Sequence, residues 1–224
     1  MTDTAKKRVG VLISGRGSNM QALFAASRAS DFPAEIALVL SNRPDAAGLA
    51  WAHERGIETF VLDHKHFADR AAFDARLGEV FAAANLDLIA LAGFMRLMTA
   101  GLVDEWRGRM INIHPSLLPL FPGLHTHARA LEAGAKIAGC TVHFVTPEMD
   151  VGPIIAQAAV PVAPGDTEDT LAARVLAAEH AIYPQALAWV ARGEVTFETA
   201  KMAQYGTFRD DARLFSPGHP SRRD

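Results

Sequence analysis

The sequence predicts an α/β protein, an open and mostly parallel sheet with helices on both faces. Three observations carry this expectation. Short apolar runs alternate with helix-period segments over the first 110 residues, their connections are short, and a glycine-rich turn follows the first run.

Arg8 to Ile13 is a short apolar run that ends at Gly15, the pattern of a buried parallel strand. Ser18 is placed to cap the next helix, with Met20, Leu23 and Phe24 on its inner face. Glu35 to Leu40 reads as a second strand, Asp45 to Arg55 as a helix closed by Gly56, and Ile57 to Leu62 as a third strand. Asp69 opens a helix whose Phe73, Leu77, Val80, Phe81 and Ala84 share one face. Asn85 stops it, and Leu86 to Ala92 is a fourth strand. The second half is less regular. Met110 to Ile113, Gly139 to Val145 and Ile154 to Val162 read as strands. Thr167 caps a long helix with Glu168 and Asp169 in its first turn; Pro184 is expected to kink or interrupt it, and Gly193 to end it. The whole is Rossmann-like: one unit over residues 1–200, divisible near residue 106, then a polar, poorly ordered tail over 201–224.

Composition narrows the function classes. Lys and Arg total 22 against 25 Asp and Glu, a formal charge of −3 that lacks the bulk attraction of a nucleic-acid binder or polybasic membrane anchor. Half the residues are apolar, enough for a sizeable core. The single cysteine, Cys140, excludes an internal disulfide and a cysteine-based zinc site, which favours a reducing cytoplasm. The apolar run Val9 to Ile13 after Lys6-Lys7-Arg8 is too short for a signal-peptide core, and no stretch reaches the ~18 residues of a membrane span.

Gly15-Arg16-Gly17-Ser18-Asn19 exposes backbone N–H groups where a helix begins, a favourable place for a phosphate. Met20 replaces the third glycine of a dinucleotide fingerprint, and the Gly-Lys-Ser/Thr of a Walker loop is missing. The better fit is a phosphate monoester on Gly17, Ser18 and Asn19; a tight turn that binds nothing is the alternative.

Asn112 and His114 lie two residues apart at a strand end, so both point to one face. Asp150 lies in a polar loop between two later strands and meets the imidazole if that loop folds over the sheet edge. A neighbouring carboxylate favours the charged form of an imidazole, whose ordinary pKa is ~6.5. An amide beside such a ring makes a donor pair for an oxyanion forming on a carbonyl, where one donor is worth ~2.7–4 kcal/mol. Ser116 lacks the surroundings of a nucleophile and Cys140 sits in an apolar strand, so direct transfer is favoured over a covalent intermediate. His125, His127 and His143 are read as hydrogen-bonding a polar substrate rather than a metal. Leu91 to Met98 forms an apolar turn suited to an aromatic ligand, and Arg70 and Arg96 suit a carboxylate.

The segments Ile13 to Asn19, Ala92 to Arg96, Asn112 to Pro119, Pro122 to His127, Val142 to Thr146 and Glu179 to Pro184 occur in order. Together they resemble the phosphoribosylglycinamide formyltransferases, a branch of the folate-dependent formyltransferase family, over about residues 8–192. The Asn-x-His-Pro-Ser-Leu-Leu-Pro segment marks the wider family, and the Gly-Ser-Asn loop with Pro-Gly-Leu-His-Thr-His marks the branch. The resemblance implies the formyltransferase fold, 10-formyltetrahydrofolate as donor, the amine of a phosphoribosylglycinamide as acceptor, and no metal. It implies that Gly17, Ser18 and Asn19 hold the phosphate and Glu179 the ribose. Arg70, Met95, Arg96, Leu97, Met98, Asn112 and the backbone of the 146–150 loop would hold the folate, with Asn112, His114 and Asp150 catalytic. The expected partners are small molecules, without nucleic acid or membrane, in a monomer or homodimer. Leu120 and Phe121 depart from relatives that carry a basic residue and Tyr there, and Arg16 and Arg43 flank the phosphate loop. A formyltetrahydrofolate hydrolase, a methionyl-tRNA formyltransferase and a non-catalytic nucleotide-binding module are the rival readings. The first expects a further N-terminal domain, the second a basic C-terminal one, and the third dispenses with Asn112, His114 and Asp150.

Overall fold

A computed structural model describes residues 5–201. The polar tail expected after residue 200 lies outside the described residues, Lys201 aside. Seven strands form one sheet: β1 (Lys7–Ile13), β2 (Ala34–Ser41), β3 (Glu58–Val61), β4 (Leu88–Leu91), β5 (Met110–His114), β6 (Ile137–Phe144) and β7 (Ile154–Pro161). They are ordered β3-β2-β1-β4-β5-β6-β7. Pairing is parallel from β3 to β5, then antiparallel through β6 and β7. Chain order reverses beside β1, so the carboxyl edges of β1 and β4 border the crevice where an open α/β sheet builds its site.

Helices α1 (Ser18–Ser27), α2 (Ala47–His53), α3 (Arg70–Ala83), α4 (Ala100–Glu105), α5 (Thr126–Glu132) and α6 (Glu168–Ala191) complete the fold. Alternation along β1 divides the core in two. Val9, Val11 and Ile13 pack with Met20, Leu23, Leu49, Val175 and Leu187 from α1, α2 and α6. Leu12 turns the other way, to Phe73, Leu77, Phe81 and Leu102 from α3 and α4. No described helix is long and apolar enough to cross a membrane.

Several local expectations are corrected. Ser18 is the first helical residue and caps nothing; Gly17 takes the capping position at φ 69°. The α2 helix is shorter than the expected 45–55 because the Asp45 carboxylate is held by Arg43 at 2.8 Å and is not free to cap. Asp69 and Asn85 behave as expected: the first accepts from Ala72 N–H, and the second sits at φ 49° just past α3. Pro184 does not interrupt α6. A helical proline costs ~3 kcal/mol, and the helix offsets this by burying Leu171, Val175, Tyr183, Ala186 and Leu187, at ~1.5–3 kcal/mol for each large side chain. The short helices α4 and α5, absent from the sequence reading, each provide too few turns for a periodic signal.

Candidate active site

The β1–α1 turn is shaped by close packing. A side chain at Gly17 would meet Met20 Cε at 2.8 Å in a backbone conformation that L residues avoid. With no side-chain cap on α1, its first N–H groups remain available to an anion. Asn19 is buried, and its Nδ2 donates to Glu179 Oε2 at 2.6 Å, joining α1 to α6. Burial pushes the Glu179 carboxyl pKa up, and the Asn19 hydrogen bond partly opposes that. Asn19 Oδ1 is buried without a partner. The expected phosphate and ribose residues therefore meet in one place, although they stand 160 positions apart.

At the far end of the crevice the antiparallel pairing of β5 with β6 sets Asn112 opposite His143. His143 Nδ1–H donates to the Phe144 carbonyl at 2.9 Å, which leaves Nε2 to accept from Asn112 Nδ2–H at 3.2 Å. Burial holds the His143 pKa below the ordinary value, consistent with this neutral tautomer. His143 was expected to bond substrate; instead it engages both nitrogens within the protein and orients the Asn112 amide, whose second N–H is left to donate. His114 is 6% exposed, with Nδ1 3.4 Å from Asp150 Oδ2 and Nε2 donating to the Phe121 carbonyl at 3.1 Å. Both nitrogens thus face oxygen atoms, one of a carboxylate and one of a backbone carbonyl. Asp150 lies at φ 58°, accepts from Gly123 N–H at 2.8 Å and stands 3.8 Å from His143 Nε2. The loop does fold over the sheet edge.

Between these ends lies the turn after β4. Phe94 anchors it in the core while Met95 and Leu97 are largely exposed. Met95 N–H donates to Ser14 Oγ at 2.8 Å, tying the turn to the end of β1. Arg96 lays its guanidinium 4.5 Å from the Phe73 ring, and Arg70 opens α3 on the surface. Leu120, Leu124, Met149 and Val151 are also exposed, on the loops after β5 and β6. Sequence reading did not mark these four as an exposed apolar surface, since an apolar residue in a loop carries no period. His125 is exposed at φ 56° before α5. His127 is half-buried, its pKa lowered by burial and its Nε2 unpartnered. Among the described residues no group of three or more His, Cys, Asp or Glu side chains is placed to hold a metal.

An amide held by a ring partner, a buried imidazole beside a carboxylate, and a glycine turn with an uncapped helix start share one sheet edge, the set of groups an acyl-group transferase site requires. The chain belongs to the formyl transferase family, whose model matches residues 7–187. It is 45% identical over 209 residues to phosphoribosylglycinamide formyltransferase of Escherichia coli, covering 93% of this chain and 96% of that one. It is also 53% identical over 195 residues to the trifunctional purine biosynthetic protein adenosine-3 of Drosophila melanogaster. That match covers 86% of this chain, which spans about 14% of the fly protein's length. Among solved structures, phosphoribosylglycinamide formyltransferase from Brucella melitensis matches with TM-score 0.81 and 55% identity, over 85% of this chain and 98% of that one. Glycinamide ribonucleotide transformylase 1 from Symbiobacterium toebii matches with TM-score 0.82 and 49% identity, over 84% and 89%.

Proposed function

We propose that this protein transfers the formyl group of 10-formyltetrahydrofolate to the amine of N1-(5-phosphoribosyl)glycinamide, giving formylglycinamide ribonucleotide and tetrahydrofolate in purine synthesis. The observation that carries the reading is the gathering of Asn112, His114 and Asp150 around His143 at the edge of the sheet whose first strand leads into the turn bearing the Asn19–Glu179 pair. The near-full-length likeness to the Escherichia coli enzyme supports the choice of substrates.

In this reading the N–H groups of Gly17, Ser18 and Asn19 take the phosphate, and Glu179 accepts from the ribose hydroxyls. The turn from Met95 to Met98, with Arg70 and the backbone of 146–150, holds the folate as a substrate. The acceptor amine attacks the formyl carbon, and the carbonyl oxygen gains the negative charge. Asn112 Nδ2–H and the His114 ring donate to that oxygen. His114 exchanges the Phe121 carbonyl for the oxyanion as its acceptor, while Asp150 keeps the ring charged. The bond from carbon to folate nitrogen then breaks, and the proton released by the amine passes to that nitrogen. The unit over 1–200 divides its work near residue 106, with the phosphate turn before it and the reacting groups after it, in a cytoplasmic enzyme.

Purified protein supplied with the folate donor, with and without the ribonucleotide, tests this directly. Turnover only with both is expected. Folate deformylation without the ribonucleotide supports a hydrolase, and none in either case supports a binding module. Near-normal turnover by His114→Ala or Asp150→Asn rules the mechanism out.

A further inference from the structure

In the glycine turn the carbonyls are held while the N–H groups are free. Gly15 C=O accepts from the N–H of Gly48, in the first turn of α2, at 3.1 Å, and Gly17 C=O accepts from Gln21 N–H at 2.9 Å. A Cβ added at Gly48 would lie 3.1 Å from the Gly15 carbonyl oxygen and 3.2 Å from that of Arg16, so both oxygens face the bare Cα of Gly48. Among the described residues the N–H groups of Gly17, Ser18 and Asn19 donate to no protein acceptor.

A peptide unit is planar and trans, so a carbonyl and the N–H that follows it point in opposite directions. Holding the Gly15 and Arg16 carbonyls toward α2 therefore aims the N–H groups of Arg16 and Gly17 away from it. An anion needs this arrangement, because N–H groups attract it and carbonyl oxygens aimed at it repel it. Gly48 has a helical backbone outside the left-handed region, a position where alanine is the better helix former. Its missing side chain thus answers to the approach of the turn and not to α2. The space is closed on the other side as well: the same Cβ would come 2.5 Å from Ile13 Cδ1, and Ile13 is fully buried.

We propose that Gly48 is a positioning residue for the phosphate of the acceptor. It touches no substrate and acts through the turn, its N–H and bare Cα holding two carbonyls back so that the N–H groups converge on the anion. A side chain at position 48 pushes the Gly15 and Arg16 oxygens by a few tenths of an ångström, and the rigid peptide planes carry the Arg16 and Gly17 N–H groups with them. The proposal rests on the assignment of the acceptor phosphate to the glycine turn.

Titration of the full chain with sodium phosphate, read at the amides of Gly17, Ser18 and Asn19 with sodium chloride as control, tests it beside steady-state kinetics. Wild type should show saturable shifts with phosphate only; their absence removes the assignment of the phosphate to the turn, and the proposal with it. Gly48→Ala should bind phosphate about tenfold more weakly and raise KM for the ribonucleotide to match, with kcat and the folate KM within about twofold of wild type. Ile13→Val with Gly48→Ala removes the crowding methyl but keeps the contact with the two carbonyls, so phosphate binding should stay weak, and this pair also serves if the single variant does not fold. Saturable binding in wild type that is unchanged in Gly48→Ala, or restored in the double variant, overturns the role of Gly48 and leaves the phosphate assignment standing. A fall in kcat together with a rise in both KM values marks a general loss of structure and overturns it too.

Discussion

Gly152 is where the chain has least room for change. A Cβ there would overlap the Phe144 carbonyl oxygen, and it would lie 2.9 Å from the carbonyl carbon and 3.4 Å from His143 Nδ1. That carbonyl accepts the proton that fixes the His143 tautomer, and Gly152 stands two residues from Asp150. Clearing the overlap in Gly152→Ala moves either the Phe144 peptide or the 150–152 segment by an estimated ~1 Å, a misplacement worth about 10²-fold in rate. Overpacking adds a stability loss of ~1–3 kcal/mol. We therefore expect kcat/KM for formyl transfer to fall about 10²-fold with the protein still folded. Steady-state kinetics beside a thermal melt measures both effects. A variant that melts a few degrees lower yet turns over like wild type would refute the link from Gly152 through Phe144 and His143 to Asn112.

Other outcomes follow from the same geometry. His143→Phe removes the acceptor that aims the Asn112 amide and should lower kcat by about 10²–10³, the range for losing one oxyanion donor, with little change in KM for the ribonucleotide. Glu179 has a pKa raised by burial, so its charged form destabilises the free protein once pH rises above the ordinary 4.5. Glu179→Gln should therefore melt higher than wild type at pH 7 and lose that advantage near pH 4, while its KM for the ribonucleotide rises; a pH series of melts decides this. The lowered pKa of His143 gives stability that is present above its ordinary 6.5 and lost as pH falls toward the folded value. Chemical denaturation of His143→Gln between pH 7 and 5 should show a shallower acid loss than wild type. Ser14→Ala frees Met95 N–H and should raise the folate KM by several-fold with kcat nearly unchanged, since one neutral hydrogen bond is worth ~1 kcal/mol.

Much of the sheet was legible because its parallel strands are buried on both faces. Val9 to Ile13 and Leu88 to Leu91 are continuous apolar runs, and glycine or polar turns bound each. Asp69 and Asn85 marked α3 because capping is local chemistry. Pro184 misled because its cost is local, whereas the burial that outweighs it belongs to the whole helix. Asn112 and His114 could be paired from their spacing alone, two positions on one strand face. The bond from His143 to Asn112 was hidden, since it depends on the register of β5 against β6, which nothing near either residue encodes. The hydrogen bond from Ser14 to Asn42 at 2.6 Å was likewise out of reach, for it joins the ends of β1 and β2 across the sheet.

Tyr183 is wholly buried in α6, one turn beyond Glu179, and its hydroxyl lies 2.9 Å from the Leu91 carbonyl and 3.3 Å from that of Ile111. One phenol thus bolts the helix that carries Glu179 to the last residue of β4 and to the neighbour of Asn112. The span between the two ends of the crevice is set like a jaw on a fixed hinge pin, and loops at its rim can shift without altering that reach.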